Sequence, residues 1–255
     1  MSDKKRERAV ILENKEIASG IFDMRIRTEG IAELAKAGQF LELYCEDGSR
    51  LLPRPISICE IDSKENMLRL VFRVAGKGTE EFSRKTEGMY LDVMGPLGNG
   101  FPRKEKSACI IGGGIGIPPM LELTKQLDCE KKVVLGYKDE LFLNKEFQKY
   151  SEVYIATEDG SCGTKGNVLD AILEHEIQAD VIYACGPLPM LRALKTYAGE
   201  KHIECYVSLE ERMACGIGAC LGCVCRSKET DTHTNVKNKR ICKEGPVFEA
   251  GEVEF

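Results

Sequence analysis

The chain has 255 residues, 43% hydrophobic and 30% charged, with a formal net charge of −5. That length buries a good core in one or two domains with room for a small appendage. The acidic balance, with no basic block beyond Lys4–Arg8, argues against nucleic-acid binding as the main role, and no apolar run approaches the roughly 20 residues that span a bilayer. The charged N-terminus has no apolar secretion signal. The expected location is therefore the reducing cytoplasm, where twelve cysteines argue for metal or redox work rather than six disulfides.

Residues 1–102 are expected to be mainly β. IFDMRIRT (21–28) and MLRLVFRVA (67–75) alternate apolar and polar residues as half-buried antiparallel strands do. EDGS, GKG and GPLGNG between and after them supply turn residues, so the region reads as a small antiparallel barrel. GIAELAKAGQ (30–39) carries at most a short turn of helix. Arg54, beside the fixed backbone of Pro55, suits a phosphate, and Ser57 adds a hydroxyl; the bland alternative is a strand with one exposed arginine. Arg73, Gly78 and Thr79 repeat a strand-then-turn arrangement.

From residue 107 the pattern changes to a parallel sheet covered on both faces. SACIIGGGIGIPPMLELTKQL reads as a strand, a glycine-rich turn and a helix with proline in its first turn. KVVLGY, EVYIAT and DVIYACG are further strands, and NKEFQKY, NVLDAILEH and PLPMLRALKTYAG are helices. Gly112, Gly113, Gly114 and Gly116 let a backbone approach a pyrophosphate at a helix N-terminus, although such turns also serve packing.

The last fifty residues are rich in cysteine and glycine. Cys215, Cys220 and Cys223 are separated by four and then two residues, and Cys242 follows after an interval of eighteen. This is the spacing of plant-type [2Fe–2S] ligation, in which Gly216, Gly218 and Gly222 give the loop its freedom. A zinc site or a thiol switch is the competing reading, though the x4 gap suits zinc knuckles poorly. Cys225 is a spectator, and Cys45, Cys59, Cys109 and Cys129 read as small buried hydrophobes. His175, His202 and His233 are scattered and suggest no catalytic pair.

Taken together, RPIS (54–57), GKGT (76–79), GGGIGIPP (112–119) and CGP (185–187) resemble the ferredoxin-reductase superfamily of flavoproteins. SLEERMACGIGACLGCVC and the later CKEGPVF narrow the resemblance to electron-transfer subunits of two-subunit, NAD-linked dihydroorotate dehydrogenases. It covers essentially the whole chain. The resemblance implies an α+β multidomain protein: an FAD-binding barrel (1–102), an NAD-binding α/β domain (103–205) and a [2Fe–2S] subdomain (206–255). Arg54, Pro55, Ile56, Ser57, Val71, Phe72, Arg73, Gly78 and Thr79 would hold FAD. Gly112, Gly113, Gly114, Gly116, Cys185, Gly186 and Pro187 would flank NAD, and Cys215, Cys220, Cys223 and Cys242 would ligate the cluster.

Glu158 and Asp159 stand where NADP-using members carry an arginine, so a 2′-phosphate would be repelled and NAD favoured. The implied partner is an FMN-containing dihydroorotate dehydrogenase catalytic subunit, in a heterotetramer of two plus two, feeding pyrimidine biosynthesis. The alternatives are a flavin–cluster subunit of an NADPH–ferredoxin transhydrogenase or sulfide/polysulfide reductase, or a zinc-organised nucleotide-binding interaction protein. No residue of this chain is assigned as catalytic, and Glu210, Glu211 and Arg212 are given no role.

Overall fold

The computed structural model describes residues 4–231 and 235–255. Six antiparallel strands, β1 (Lys5–Ala18), β2 (Ile21–Arg27), β3 (Phe40–Leu43), β4 (Arg54–Asp62), β5 (Met67–Arg73) and β6 (Tyr90–Leu97), close into a barrel of order β1-β2-β5-β4-β3-β6. Two short helices, α1 (Ile31–Leu34) and α2 (Lys77–Ser83), plug its connections. Alternation does the sorting: Leu41 and Leu43 point into a core with Ile11, Ile26, Leu68 and Phe72, while Phe40 and Glu42 face outward.

The half-buried expectation fails for β5. Leu68 to Phe72 are buried without a break, Arg69 included at 3% exposure, because the outer face of β5 is covered by the second domain rather than by water. A bulge between Ile58 and Glu60 buries Cys59 in the same inter-domain core.

That second domain is built on β7 (Ala108–Gly113), α3 (Pro118–Gln126), β8 (Lys131–Tyr137), α4 (Asn144–Phe147), β9 (Glu152–Thr157), β10 (Thr164–Lys165), α5 (Val168–Glu174), β11 (Val181–Cys185), α6 (Leu188–Lys201) and β12 (Glu204–Ser208). Its strands run parallel in the order β10-β9-β8-β7-β11-β12. NKEFQKY gives only the four-residue α4 rather than a full helix.

The chain moves outward from β7 through β10, then returns to the other side of β7 as β11. A crevice therefore opens at the carboxyl ends of β7 and β11.

The tail forms β13 (Val224–Ser227), β14 (Asn238–Arg240), β15 (Val247–Glu249) and β16 (Val253–Glu254). β13, β14 and β16 make a small sheet of their own, but β15 joins the large sheet, antiparallel to β12. Cys223, Ile241, Cys242 and Val253 are buried with Phe40 and Leu97 of the barrel, so the apolar-poor tail borrows a core from its neighbours. The long interval before Cys242 is largely the β13–β14 hairpin.

Among the isolated cysteines, Cys59 and Cys109 are buried as expected, whereas Cys45 and Cys129 are only half-buried. His175 packs 4.7 Å from the Tyr154 ring and His202 caps α6 in an exposed left-handed turn. His233 lies outside the described residues. No helix among the described residues is long and apolar enough to cross a membrane.

Candidate functional site

The barrel end nearest the second domain opens into a cavity of about 660 Å³. Pro55, Ile56 and Ser57 of β4 and Val71, Phe72 and Arg73 of β5 line it, with Thr79 of α2 at the rim. Pairing explains the assembly: β3 bonds to β4 and β4 to β5, so the starts and ends of these strands meet at one mouth. A largely apolar slot edged by a few hydroxyls and a cation fits a flat aromatic ring system such as a flavin.

Arg54 lines an adjoining cavity of about 680 Å³ with Arg50, Lys77 and Arg212, a cationic setting suited to a pyrophosphate. A Cβ on Gly78 would sit 2.4 Å from Arg54 Nε, so a larger residue there would displace the guanidinium from its present position. The opposite wall of the first cavity comes from Ile115 of the glycine turn and from Ser208 to Met213, the stem of the cysteine loop. Glu210, Glu211, Arg212 and Ile115 thus belong to the site although sequence reasoning assigned them no place in it. Their signal was adjacency to both motifs.

The glycine turn and CGP meet as neighbours, since Gly112 and Cys185 are register partners in adjacent parallel strands. Gly114 adopts φ +53 in a single 3-10 turn that feeds Pro118 and Pro119 into α3. A Cβ on Gly116 would stand 2.4 Å from the Cys185 carbonyl and 2.5 Å from the Gly186 nitrogen. This close-packed cradle at the switch-point crevice and the head of α3 fits a dinucleotide pyrophosphate.

Glu158 is exposed just past β9, its N–H donating to the Tyr137 carbonyl at 3.2 Å. The neighbouring Asp159 accepts from the Ser161 backbone and hydroxyl, which lower its pKa, so its Oδ1 is engaged within the loop.

Cys215, Cys220, Cys223 and Cys242 come together as two pairs. Ala219 and Cys220 N–H groups donate to Cys215 Sγ at 3.3 and 3.4 Å, and the Cys220 thiol bonds to it as well. The Cys242 N–H donates to Cys223 Sγ at 3.4 Å, alongside a thiol contact between the two. Burial raises the Cys215 thiol, but the Ile217 N–H first, and then the Cys220 and Ala219 donors, outweigh it and bring it down to about 7. The Cys242 thiol lowers the pKa of Cys223 and is itself raised.

Among the described residues no group of three or more His, Cys, Asp or Glu converges on a single ion position. Two pairs of cysteines suit the two irons of a [2Fe–2S] unit, which takes four cysteine ligands in all. Gly216 and Gly218 have φ of +61 and +83, but Gly222 does not enter that region. The Arg240 guanidinium, donating to the Gly218 carbonyl at 3.1 Å, ties the β13–β14 hairpin to the loop. The Cys225 thiol turns away to the Lys239 carbonyl at 3.6 Å.

Glu42 is the site residue with no sequence signal. Its carboxyl is fully buried with both oxygens unpartnered, pressed against Gly216 so closely that a Cβ there would sit 2.6 Å from Cδ. Burial first, and then the Cys215 thiolate, raise it from 4.5 to about 7. A raised carboxyl contributes stability that is full below the unfolded value of 4.5 and is lost as pH climbs through about 7. In the cluster-free chain, Glu42→Gln is therefore expected to remove this decline, which for wild type amounts to about 3 kcal/mol between pH 4 and pH 8 in urea melts. An unchanged pH profile would mean that Glu42 is partnered in solution.

The fold and crevice place the chain among the two-domain flavin reductases. It superimposes with a TM-score of 0.86 on the structure of an NADH-dependent reduced ferredoxin–NADP oxidoreductase solved in a study of flavin-based electron bifurcation. The two share 30% identity over 96% of this chain and 89% of that one. The model of the iron–sulfur cluster binding domain of dihydroorotate dehydrogenase B matches residues 210–254. Two relatives are each named dihydroorotate dehydrogenase B (NAD(+)), electron transfer subunit. The one from Fusobacterium nucleatum subsp. nucleatum is 43% identical over 98% of this chain and 99% of its own length. The one from Geobacillus sp. (strain WCH70) is 44% identical over 98% of both. The chain belongs to this family of electron transfer subunits.

Proposed function

We propose that this chain relays electrons from a dihydroorotate-oxidising, FMN-containing partner subunit to NAD⁺, using FAD and a [2Fe–2S] cluster, in the cytoplasmic synthesis of pyrimidines. The observation that carries the reading is one continuous wall. Ser208 to Met213 line the flavin cavity, and the chain then runs directly into Cys215, while Ile115 of the glycine turn lines the same cavity. When bound, the flavin supplies the exchange between hydride transfer to nicotinamide and single-electron transfer to the cluster.

The residues bind and orient. Ser57, Thr79 and Arg73 offer polar contacts around an apolar slot, Arg54 and its cationic neighbours take the pyrophosphate, and Gly112–Gly116 with Cys185–Pro187 seat the dinucleotide. No side chain is asked to move a proton. Cys220 and the apolar residues Ile217, Leu221 and Val224 are exposed around the cysteine loop, a surface suited to a docked donor subunit. We divide the roles as FAD at residues 1–102, NAD at 103–205 and the cluster at 206–255, with two such chains and two partner subunits forming the assembly.

Anaerobic titration of the purified chain is the direct test. NADH is expected to bleach both the flavin bands and the broad cluster shoulder, with NADPH far less effective. A colourless protein containing zinc would overturn the reading. For cofactor choice, Glu158→Arg is expected to move the NADPH/NADH ratio of kcat/KM about tenfold or more toward NADPH, because a repelling charge becomes an attracting one. An unmoved ratio would remove Glu158 from the ribose site.

A further inference from the structure

Where the barrel meets the second domain, all five N–H donors of one guanidinium are matched to carboxylates. Arg69 Nε and Nη2 donate to Asp23 at 2.8 and 2.7 Å, Nη1 to Glu60 and Glu146 at 2.5 and 2.6 Å, and Nη2 again to Glu146 at 2.9 Å. Asp23 and Glu60 come from β2 and β4 of the barrel, whereas Glu146 comes from α4 of the other domain.

The tie continues into α3. Lys125 donates to Glu60 at 2.9 Å and to Glu122 at 3.5 Å, and Glu122 accepts the Ile61 N–H of β4 at 3.0 Å. Cys59 on the bulge of β4 packs in the same buried cluster as Ile117, Met120 and Leu121 at the head of α3.

Two cations and four carboxylates gathered at a boundary where Arg69, Asp23 and Glu122 are buried and Glu60, Lys125 and Glu146 half-buried are an expensive way to gain stability, since an apolar contact of similar volume serves as well or better. What such an array provides is direction, because the guanidinium fork accepts its partners in one geometry only. The direction matters here because of what the joined elements carry. β4 begins with Arg54 at the pyrophosphate cavity and Pro55–Ser57 at the flavin cavity, directly before the bulge, and α3 begins directly behind the glycine turn.

We infer that Arg69 is a positioning residue: through Glu146 it holds α4, and through Glu60 and Lys125 it holds α3, against the barrel strands, and so fixes the spacing between the dinucleotide cradle and the flavin slot. The inference rests on the flavin–nicotinamide reading above. Neither site contacts Arg69, so loosening the lock should leave each binding step intact and spoil only their alignment. A misplacement of about 1 Å from a distant change can slow such a reaction by about a hundredfold.

The test compares Glu146→Ala, which cuts the direct bond of Arg69 to the second domain and leaves it paired with Asp23 and Glu60, with Asp23→Asn, which cuts an arm inside the barrel. Three quantities are read on the cofactor-loaded chain: the limiting rate of flavin reduction by NADH, the NADH dissociation constant, and hydrogen exchange of the Ile61 amide. In Glu146→Ala the limiting rate should fall about tenfold or more, with the dissociation constant within about twofold and Ile61 exchange accelerated. Asp23→Asn, at the more buried partner, should lower the melting temperature further but the rate less.

A wild-type limiting rate in Glu146→Ala, or rates that follow melting temperature across both variants, would overturn the positioning role and leave a stabilising ion cluster. If NADH fails to reduce even the wild-type chain, the functional reading falls instead. The Ile61 exchange then judges the lock alone, with unchanged exchange in Glu146→Ala overturning it.

Discussion

Cys223→Ser is expected to abolish the iron–sulfur absorbance of the chain while leaving FAD bound and NADH-dependent ferricyanide reduction near wild type. Dihydroorotate-dependent NAD⁺ reduction, assayed with the partner subunit, should fall about a hundredfold or more, since losing a metal ligand costs more than losing an outer-sphere partner. The asymmetry follows from the layout. The nucleotide cradle and flavin slot are formed by the barrel, the parallel sheet and the stem up to Met213, with Pro246 the one lining residue from beyond the cysteine loop, held by the Leu209 N–H rather than by the buried Cys223–Cys242 pair. Cys225→Ser is the matched control, its thiol being directed at the Lys239 carbonyl, and should keep both activities. Loss of the cluster in Cys225→Ser but not in Cys223→Ser would reverse the ligand assignment.

Gly116→Ala should be nearly as damaging, through the opposite partner. The added methyl would stand 2.4 Å from both the carbonyl carbon and oxygen of Cys185. These are backbone atoms of a strand end buried in the sheet, so neither a rotamer change nor a small shift relieves the clash. Overpacking of this kind costs about 1–3 kcal/mol and pushes CGP away from the glycine turn. NADH affinity, followed by flavin reduction, is expected to weaken at least about tenfold, with FAD and cluster content unchanged. By contrast Gly199, which has open space around its Cα, should accept alanine without loss. Wild-type NADH affinity in Gly116→Ala would mean that the two turns separate when the nucleotide binds.

The parts legible in the sequence were those whose chemistry demands particular residues at short range. A cluster loop needs closely spaced thiols, and a pyrophosphate cradle needs adjacent glycines; both signals survive without knowledge of the fold. The barrel and parallel sheet were legible for a similar reason, because alternation and βα spacing are local.

What remained hidden depends on contacts made far along the chain. Arg69 occupies a polar slot in an alternating strand and reads as an exposed residue, and only the docking of α3 and α4 turns that face into an interior. Glu42 sits in an equally ordinary FLEL, and its burial depends on a loop more than 170 residues later. The NKEFQKY segment has helical composition, yet Leu143 starts it from φ +61 and the chain leaves after one turn to begin β9. ECYVS and VFE are too short and mixed to announce a shared sheet.

The pairing of β15 with β12 bears on whether the redox tail could ever be a detachable module. Tyr206, Val207 and Ser208 spend their outer hydrogen-bonding edge on Val247, Phe248 and Glu249, and the Leu209 N–H reaches the Pro246 carbonyl at 2.9 Å. A shortened chain ending near Leu209 would therefore be more than a reductase without its relay. It would carry a raw, apolar β-edge open to self-association, of the kind that natural sheets cover or charge. The same stitch that brings the thiols beside the flavin cavity also seals the margin of the nucleotide sheet, so solubility and electron delivery are inherited together.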